Sequence, residues 1–169
     1  MKNIDLKATP VYSFPPIADF RSRVLILGTM PGKESLRNHA YYAHPRNGFW
    51  KIIFALSELP YSTDYQLRIE TLLNNRIALW DVLESCTRHT SLDSDIKKEQ
   101  PNDLQQFISS HQNITRIYFN GKGAAGYFKK YFPEIDLPNY VLPSTSPAHA
   151  IKWESKLDAW KSIINIDDN

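Results

Sequence analysis

Aromatic, cationic and amide side chains are concentrated in one stretch that could bind and cleave a nucleotide. Tyr41 and Tyr42 precede His44, Arg46 and Asn47 along the chain. Aromatic rings interleaved with cations are suited to stacking a base and holding its phosphates. The same residues also allow a structural role, in which the tyrosines cover the core and Asn47 caps the helix that follows. Composition alone favours neither nucleotide binding nor the structural role.

A glycine pattern offers a second chemistry. Gly121, Gly123 and Gly126 form G-x-G-x-x-G between a predicted strand and a predicted helix, a pattern that can cradle the phosphates of a dinucleotide. Such units carry an acidic residue about 20 positions later. Here the next strand ends at Pro143 and Ser144 without a carboxylate, so a tight strand-to-helix turn is favoured. A dinucleotide-binding α/β enzyme using these glycines stays as an alternative.

Other catalytic classes lack the residues that they need. The five histidines form no HxxxH or HExxH pattern, so we expect no metal and no cofactor. The single cysteine, Cys86, excludes an intramolecular disulfide and a multi-cysteine metal site. No G-x-S-x-G elbow is present, and no apolar run approaches ~18–20 residues. We therefore expect a cytoplasmic protein that does not interact with membranes.

Length and composition suit one globular domain. The chain has 169 residues, of which 42% are hydrophobic and 22% are charged, so we expect a single domain over residues 1–169. The formal net charge is +2. This charge permits a nucleic-acid partner, but any basic surface must come from local clustering.

Strands and helices alternate along the chain. Strands are predicted at residues 24–28, 76–80, 116–120 and 139–143, and helices at about 49–59, 62–74, 102–111, 124–131 and 152–164. Ser62 is the expected cap of the second helix, while residues 29–47 and 81–95 are predicted to be polar loops. This alternation predicts an α/β fold, a three-layer α/β/α sandwich around a short, mainly parallel four-stranded sheet. Loops beyond the carboxyl ends of such strands form ligand sites.

Several segments resemble the uracil-DNA glycosylase superfamily. Gly28-Thr-Met-Pro-Gly resembles its first motif, a turn after the first strand, and Ser144-Thr-Ser-Pro resembles its second. The Tyr42-Ala-His-Pro-Arg-Asn-Gly-Phe-Trp segment is similar to the mismatch-specific branch. The hypoxanthine-DNA glycosylase branch is more similar still, through Trp80-Asp-Val, Arg88 and Ser91-Leu-Asp-Ser. The resemblance covers about residues 23–153 in order.

The resemblance implies a monofunctional DNA glycosylase of base excision repair. It would flip a deaminated base out of double-stranded DNA and hydrolyse the N-glycosidic bond, with hypoxanthine first and mispaired uracil second. Met30 stands where the superfamily usually has a residue that holds the catalytic water, and Ser144 stands where the uracil enzymes have a histidine. The resemblance therefore implies Asn47 as the catalytic residue. Met30 also motivates an alternative, a non-catalytic relative that binds lesions or DNA.

The remaining candidate residues are assigned by their place in these motifs. The base-binding group is Tyr42, which would stack on the base, with Gly28, Thr29 and Met30. The DNA-binding group is Arg46, Arg88, Ser91, Ser144, Thr145, Ser146, Pro147, Ala148 and His149. Lys33, Arg37, Lys122 and Lys152 are further cations expected near the same face. Asp81 and Asp93 are candidates to assist Asn47, or instead to anchor a loop and to cap residues 94–99. We expect a monomer.

Overall fold

The computed structural model describes residues 9–164, and the structural statements below concern that part of the chain. The strands are β1 (Val11–Tyr12), β2 (Val24–Gly28), β3 (Ile77–Asp81), β4 (Leu83–Thr87), β5 (Lys97–Pro101), β6 (Arg116–Asn120) and β7 (Asn139–Leu142). The helices are α1 (Lys33–Asn38), α2 (Phe49–Leu56), α3 (Tyr65–Asn74), α4 (Leu104–Ser110), α5 (Lys122–Tyr131) and α6 (Trp153–Trp160). Short 3₁₀ turns span Asp93–Asp95 and Lys161–Ile163.

The centre of the fold is a parallel four-stranded sheet in the order β3-β2-β6-β7. Every residue of β2 is buried, as expected for a β-branched apolar strand covered on both faces. The register pairs Gly28 with Asp81 at the carboxyl ends of β2 and β3. All four strands therefore end at one edge, and the loops that follow them meet there.

Two apolar cores cover the two faces of this sheet. Ile26 faces a core that includes residues of α2, α3 and α6, among them Phe49 and Trp160. Leu25 and Leu27 face a second core with residues of α4 and α5. Alternate side chains of one strand point to opposite faces, so β2 supplies both cores. The predicted three-layer α/β/α sandwich is confirmed.

The structure contains a second sheet that the sequence did not predict. It is antiparallel, in the order β1-β4-β5, and β4 falls within residues 81–95, which were predicted to be a loop. Most of β5 is exposed and polar, so its sequence carries no strand signal. Pairing with neighbours decides the conformation of such strands more than intrinsic propensity does.

Some element boundaries also differ from the prediction. Residues 29–47 are not a continuous loop, because α1 lies within them. Asp64, not Ser62, caps α3 and accepts a hydrogen bond from the Leu67 N–H. α5 begins at Lys122, two residues earlier than predicted. No helix in residues 9–164 is both long enough and apolar enough to cross a bilayer.

Candidate active site

A cavity of about 590 Å³ opens at the carboxyl edge of the parallel sheet. The last residues of β3 and β6 and the loops after β2 and β7 contribute to the wall. The lining comprises residues 28–35, Tyr41, Tyr42, His44, Asn47, Asp81, 91–93, Asn120 and 144–149. This volume lies within the range of small-ligand pockets. The segments that resemble the first and second motifs therefore share one cavity.

Gly28, Asp81 and Tyr42 pack together at the floor of the cavity. A Cβ atom on residue 28 would lie 2.6 Å from Asp81 Oδ1 and 2.7 Å from Tyr42 Oη, so only glycine admits both groups. Asp81 is 3% exposed, and its Oδ2 and the Tyr42 hydroxyl have no hydrogen-bond partner among the described residues. The Asn120 side chain lies beside that hydroxyl, and its oxygen and nitrogen are each also bonded to Thr145.

Burial changes the protonation of these groups. It is the main cause that raises the pKa of Asp81 to about 7; the negative charge of Asp93 adds to this effect and Arg88 opposes it. Burial also raises the pKa of the Tyr42 hydroxyl, which stays protonated. Asp81 is therefore divided between its acid and its anion near neutral pH, the range in which a general acid or base works best.

Asp93 is the second carboxylate in the cavity wall. Its Oδ2 accepts a hydrogen bond of 2.9 Å from the Thr29 hydroxyl. The pKa of Asp93 is raised by burial, while the bond from Thr29 and the charge of Arg88 lower it. Its side chain remains open to solvent in the cavity, which limits the effect of burial. The side chain does not cap residues 94–99, and the Asp81 carboxylate does not anchor a loop through hydrogen bonds to the described residues.

Residues 88–93, here called the latch segment, are fastened to the turn after β2. Three hydrogen bonds do this, joining Thr29 to Asp93, Pro31 to Arg88 and Lys33 to Ser91. Arg88 Nη2 donates to the Pro31 carbonyl, and its Nη1 is buried without a partner among residues 9–164. Arg88 is thus half-buried against this turn, and its predicted contact with phosphate stays a prediction. Ser91 stays exposed but accepts the bond from the Lys33 N–H.

The glycine pattern serves this site and not a dinucleotide. Gly121 has φ 94°, which favours glycine, and a Cβ there would lie 3.1 Å from Ser144 Cβ. A Cβ on Gly123 would lie 2.5 Å from Asp93 Oδ2. The first turn of α5, where a pyrophosphate would bind, therefore receives the protein's own carboxylate.

Asn120 was missed as a site residue, and it holds the second-motif loop. Its Oδ1 accepts from the Thr145 N–H and its Nδ2 donates to Thr145 Oγ1, each at 2.9 Å. The Thr145 carbonyl accepts from the Gly48 N–H at 3.1 Å, which joins this loop to the segment of residues 42–50. Thr145 is 1% exposed and lines the cavity, and its predicted phosphate contact stays a prediction. The sequence held one signal for Asn120, which is that a polar residue ends a buried strand at the edge where the site lies.

The rest of the second-motif loop reaches the surface. Ser144 and Ser146 line the cavity, and their hydroxyls accept bonds from backbone N–H groups within the loop. Pro147, Ala148 and His149 are exposed at its tip. The phosphate-binding prediction for these five residues stays a prediction.

Asn47 and Tyr42 both line the cavity. Asn47 Oδ1 accepts from the Phe49 N–H at 3.0 Å, and the N-cap itself is Gly48. The Asn47 side-chain nitrogen makes no hydrogen bond to the described residues, so it can serve a ligand. The Tyr42 ring stacks on Phe49, with centroids 4.3 Å apart. Arg46 is exposed beside the cavity.

Comparisons with known proteins agree with this geometry. Residues 15–167 match the family described as the uracil DNA glycosylase superfamily. The chain is 34% identical over 148 residues to a hypoxanthine DNA glycosylase from Methanosarcina barkeri, covering 87% of this chain and 93% of that protein. It is 33% identical over 151 residues to one from Methanosarcina acetivorans, with coverages of 89% and 95%. A solution NMR structure of a candidate uracil DNA glycosylase from M. acetivorans has a TM-score of 0.81 at 30% identity, covering 92% of this chain and 97% of that chain.

Proposed function

The chain belongs to the uracil DNA glycosylase superfamily, and from this membership we propose that it removes hypoxanthine first, and mispaired uracil second, from double-stranded DNA. The observation that carries the proposal is the cavity, which is lined by both motif segments together. The names of the relatives, which are hypoxanthine DNA glycosylases, support the choice of base.

The reaction begins with flipping of the damaged nucleotide, because the bond to be cut lies inside a duplex. Flipping costs a few kcal/mol and is easiest for a mispaired base. The base enters the floor near Asp81, and its phosphates stay at the rim with Ser144 and Ser146. The exposed tip at residues 147–149 fills the space that the base leaves. The Tyr42 ring, held from behind by Phe49, stacks on the base.

Asn47 acts at the sugar. Cleavage develops positive, oxocarbenium-like charge on the deoxyribose, and a water must attack from the face opposite the base. The Asn47 amide has no useful pKa, so it orients this water and does not remove its proton. Its half-buried place between floor and rim suits that task. Gly28 and Thr29 offer backbone groups to the base, beside the Met30 side chain.

The enzyme is monofunctional under this proposal, so excision leaves an intact strand with an abasic site. Lys33 lines the cavity with an exposed side chain, and it forms no Schiff base. Borohydride therefore should not trap a covalent complex between the protein and DNA. We also propose that the protein acts as a monomer in the cytoplasm, and light scattering checks the oligomeric state.

A glycosylase assay on duplexes that carry inosine, uracil or xanthine tests the proposal. Strand breaks are expected only after alkali treatment, fastest for inosine and slower for uracil in a mispair. Breaks without alkali would contradict the monofunctional reaction.

The second candidate is a non-catalytic relative, which Met30 favours because its apolar side chain lines the cavity where water must be held. Tight lesion binding without release of any of the three bases would establish that candidate instead.

A further inference from the structure

Hydrolysis leaves negative charge on the departing base, and the only ionisable side chain of the second-motif loop, His149, is exposed at the loop tip and not at the cavity floor. Ser144 stands at the position where the uracil enzymes carry a histidine. Its hydroxyl oxygen accepts a bond from the Ser146 N–H at 3.2 Å, and a serine hydroxyl is a poor acid. If the proposed function holds, on which this inference rests, another group must stabilise the leaving base.

We propose that Asp81, in its protonated form, is the general acid that donates a proton to N7 of the departing hypoxanthine. The carboxyl group is at the floor of the cavity, 3% exposed, and its Oδ2 has no hydrogen-bond partner among residues 9–164. N7 is a hydrogen-bond acceptor of purine bases. A buried, unpartnered oxygen in the wall of a cavity is free for a ligand atom.

Depth in the cavity separates Asp81 from Asn47. Exposure increases from Asp81 through the half-buried Asn47 to the exposed loop tip at residues 147–149. A flipped nucleotide enters with its base leading and its phosphates at the rim. Asp81 therefore contacts the base and Asn47 contacts the sugar. Asp81 acts on the leaving group, and Asn47 orients the water that is the nucleophile.

The groups that face Asp81 favour its acid form. Tyr41 and Tyr42 stay protonated, and both are close enough for their pKa values to respond to the Asp81 charge. Asp93 adds a second carboxylate, which also favours the acid form, whereas the positive charge of Arg88 favours the ionised form. Asp93 has the Thr29 hydroxyl as a donor, and Asp81 has none. Where two carboxyls interact in this way, the one without a donor retains its proton to higher pH.

The step balances in atoms and charge. As the bond from C1′ to N9 breaks, its electron pair moves to the base, and the Asp81 proton forms a new bond to N7. The water held by Asn47 adds its oxygen to C1′ and releases one proton to solvent. Neutral hypoxanthine and an abasic sugar leave, and Asp81 takes a proton from solvent before the next turnover.

Single-turnover excision of deoxyinosine, measured from about pH 5 to 9, tests this role. The wild-type rate should fall above an apparent pKa near 7, the value given by the environment of Asp81. Asp81→Asn should lower the rate at pH 6.5 by about 10²- to 10⁴-fold, which is the usual contribution of a general acid. The variant should also lose the decrease in rate at alkaline pH. The matched control is Asp64→Asn, which removes a carboxyl at the cap of α3 and keeps a capping side chain.

A second substrate makes the test independent of the variant. 7-Deaza-deoxyinosine has carbon in place of N7, so the wild-type protein should excise it slowly, without the alkaline decrease, and Asp81→Asn should slow it no further. The inference is overturned if the folded Asp81→Asn protein excises deoxyinosine at the wild-type rate. It is also overturned if the variant slows both substrates by the same factor. A wild-type protein that excises neither substrate would instead reject the proposed function.

Discussion

Two buried polar atoms at the cavity floor, Tyr42 Oη and Asp81 Oδ2, have no hydrogen-bond partner among residues 9–164. A buried polar group without a partner costs about 1–3 kcal/mol, and a buried charge costs more. At the scale of single residues, the site therefore holds groups that lower stability. Such groups are typical of sites shaped for a ligand.

Asp81→Asn should stabilise the protein at pH 8 but not at pH 4. The pKa of Asp81 is about 7 in the folded protein against 3.8 for a free side chain. Folded protein thus binds the proton more tightly, so stability falls as the pH rises from about 4 to 7. Each pKa unit corresponds to about 1.4 kcal/mol, and the gain at pH 8 is on the order of 4 kcal/mol. Urea unfolding at both pH values measures it; an equal gain at both would contradict the ionisation of Asp81.

Asn47→Ala should reduce the single-turnover rate on inosine DNA, by about tenfold for each 1.36 kcal/mol of lost stabilisation. The variant also loses the bond to the Phe49 N–H, which lowers stability by about 0.5–1.5 kcal/mol. Asn47→Ser can retain that bond but is too short to hold the water, so it should not restore excision. Binding to abasic DNA should survive in both variants. A serine variant with near-normal excision would limit Asn47 to a structural role.

Tyr42→Ala should slow excision through the loss of base stacking, which is worth about 1–3 kcal/mol per base. Tyr42→Phe should have a mild effect on excision, because the ring and its contact with Phe49 remain. Tyr140→Ala is the control, since Tyr140 is an exposed ring on β7. Excision rates of folded protein are compared at saturating enzyme. If phenylalanine is as harmful as alanine, the hydroxyl is the functional group and the stacking role is wrong.

At the scale of elements, the sequence predicts strands that have a local apolar pattern. It does not predict strands that form only because they pair with a neighbouring strand. β2 is a continuous apolar run and β6 has an apolar centre, so their strands and their shared sheet could be predicted. β4 and β5 are polar on their exposed sides, and only contact with β1 and with one another makes them strands. The latch segment was predicted as a loop with phosphate contacts, whereas its contacts run to the turn after β2.

The site follows the same division. That Asp81 lies near Gly28 was predictable, since both end parallel strands at one edge. That the Asp81 carboxylate enters the cavity was not, because it depends on the packing of Tyr42 and on the absence of a side chain at Gly28. The hydrogen bonds between Asn120 and Thr145 could not be predicted either, because the sequence does not give the distance between the end of β6 and the loop after β7.

Asn120→Ala should loosen the second-motif loop as a unit. It removes two hydrogen bonds of 2.9 Å to Thr145 and leaves the buried Thr145 groups without partners, at a cost of about 1–3 kcal/mol in stability. Affinity for abasic DNA should also fall. Asn139→Ala is the control, because Asn139 makes a local bond at the opposite end of β7. Unchanged DNA affinity in Asn120→Ala would show that the loop does not need this support.

At the scale of the whole molecule, charge must be unevenly distributed for the protein to bind DNA. The formal net charge is only +2, so long-range attraction is weak and the cations beside the cavity carry it. Two of the cations expected there already bond to groups of the protein. Arg37 is exposed but pairs with Glu34 at 2.7 Å, and the half-buried Arg88 donates to the Pro31 carbonyl in the turn after β2. The remaining exposed cations near the carboxyl edge are Lys33, Arg46, Lys122 and Lys152.

DNA affinity should therefore depend on salt with a slope set by these four side chains. Each phosphate contact contributes about −0.9 to the slope of log affinity against log salt, so four contacts give about −3.6. Replacing Lys33 and Arg46 together by glutamine should reduce the steepness by about 1.8. Lys129→Gln is the control, since Lys129 is exposed in the last turn of α5, the helix whose first turn is at the cavity. Fluorescence anisotropy with an abasic duplex at several salt concentrations measures the slope. Affinity that does not change with salt, or a Lys129 variant that changes the slope as much as the double variant does, would contradict this assignment of the binding face.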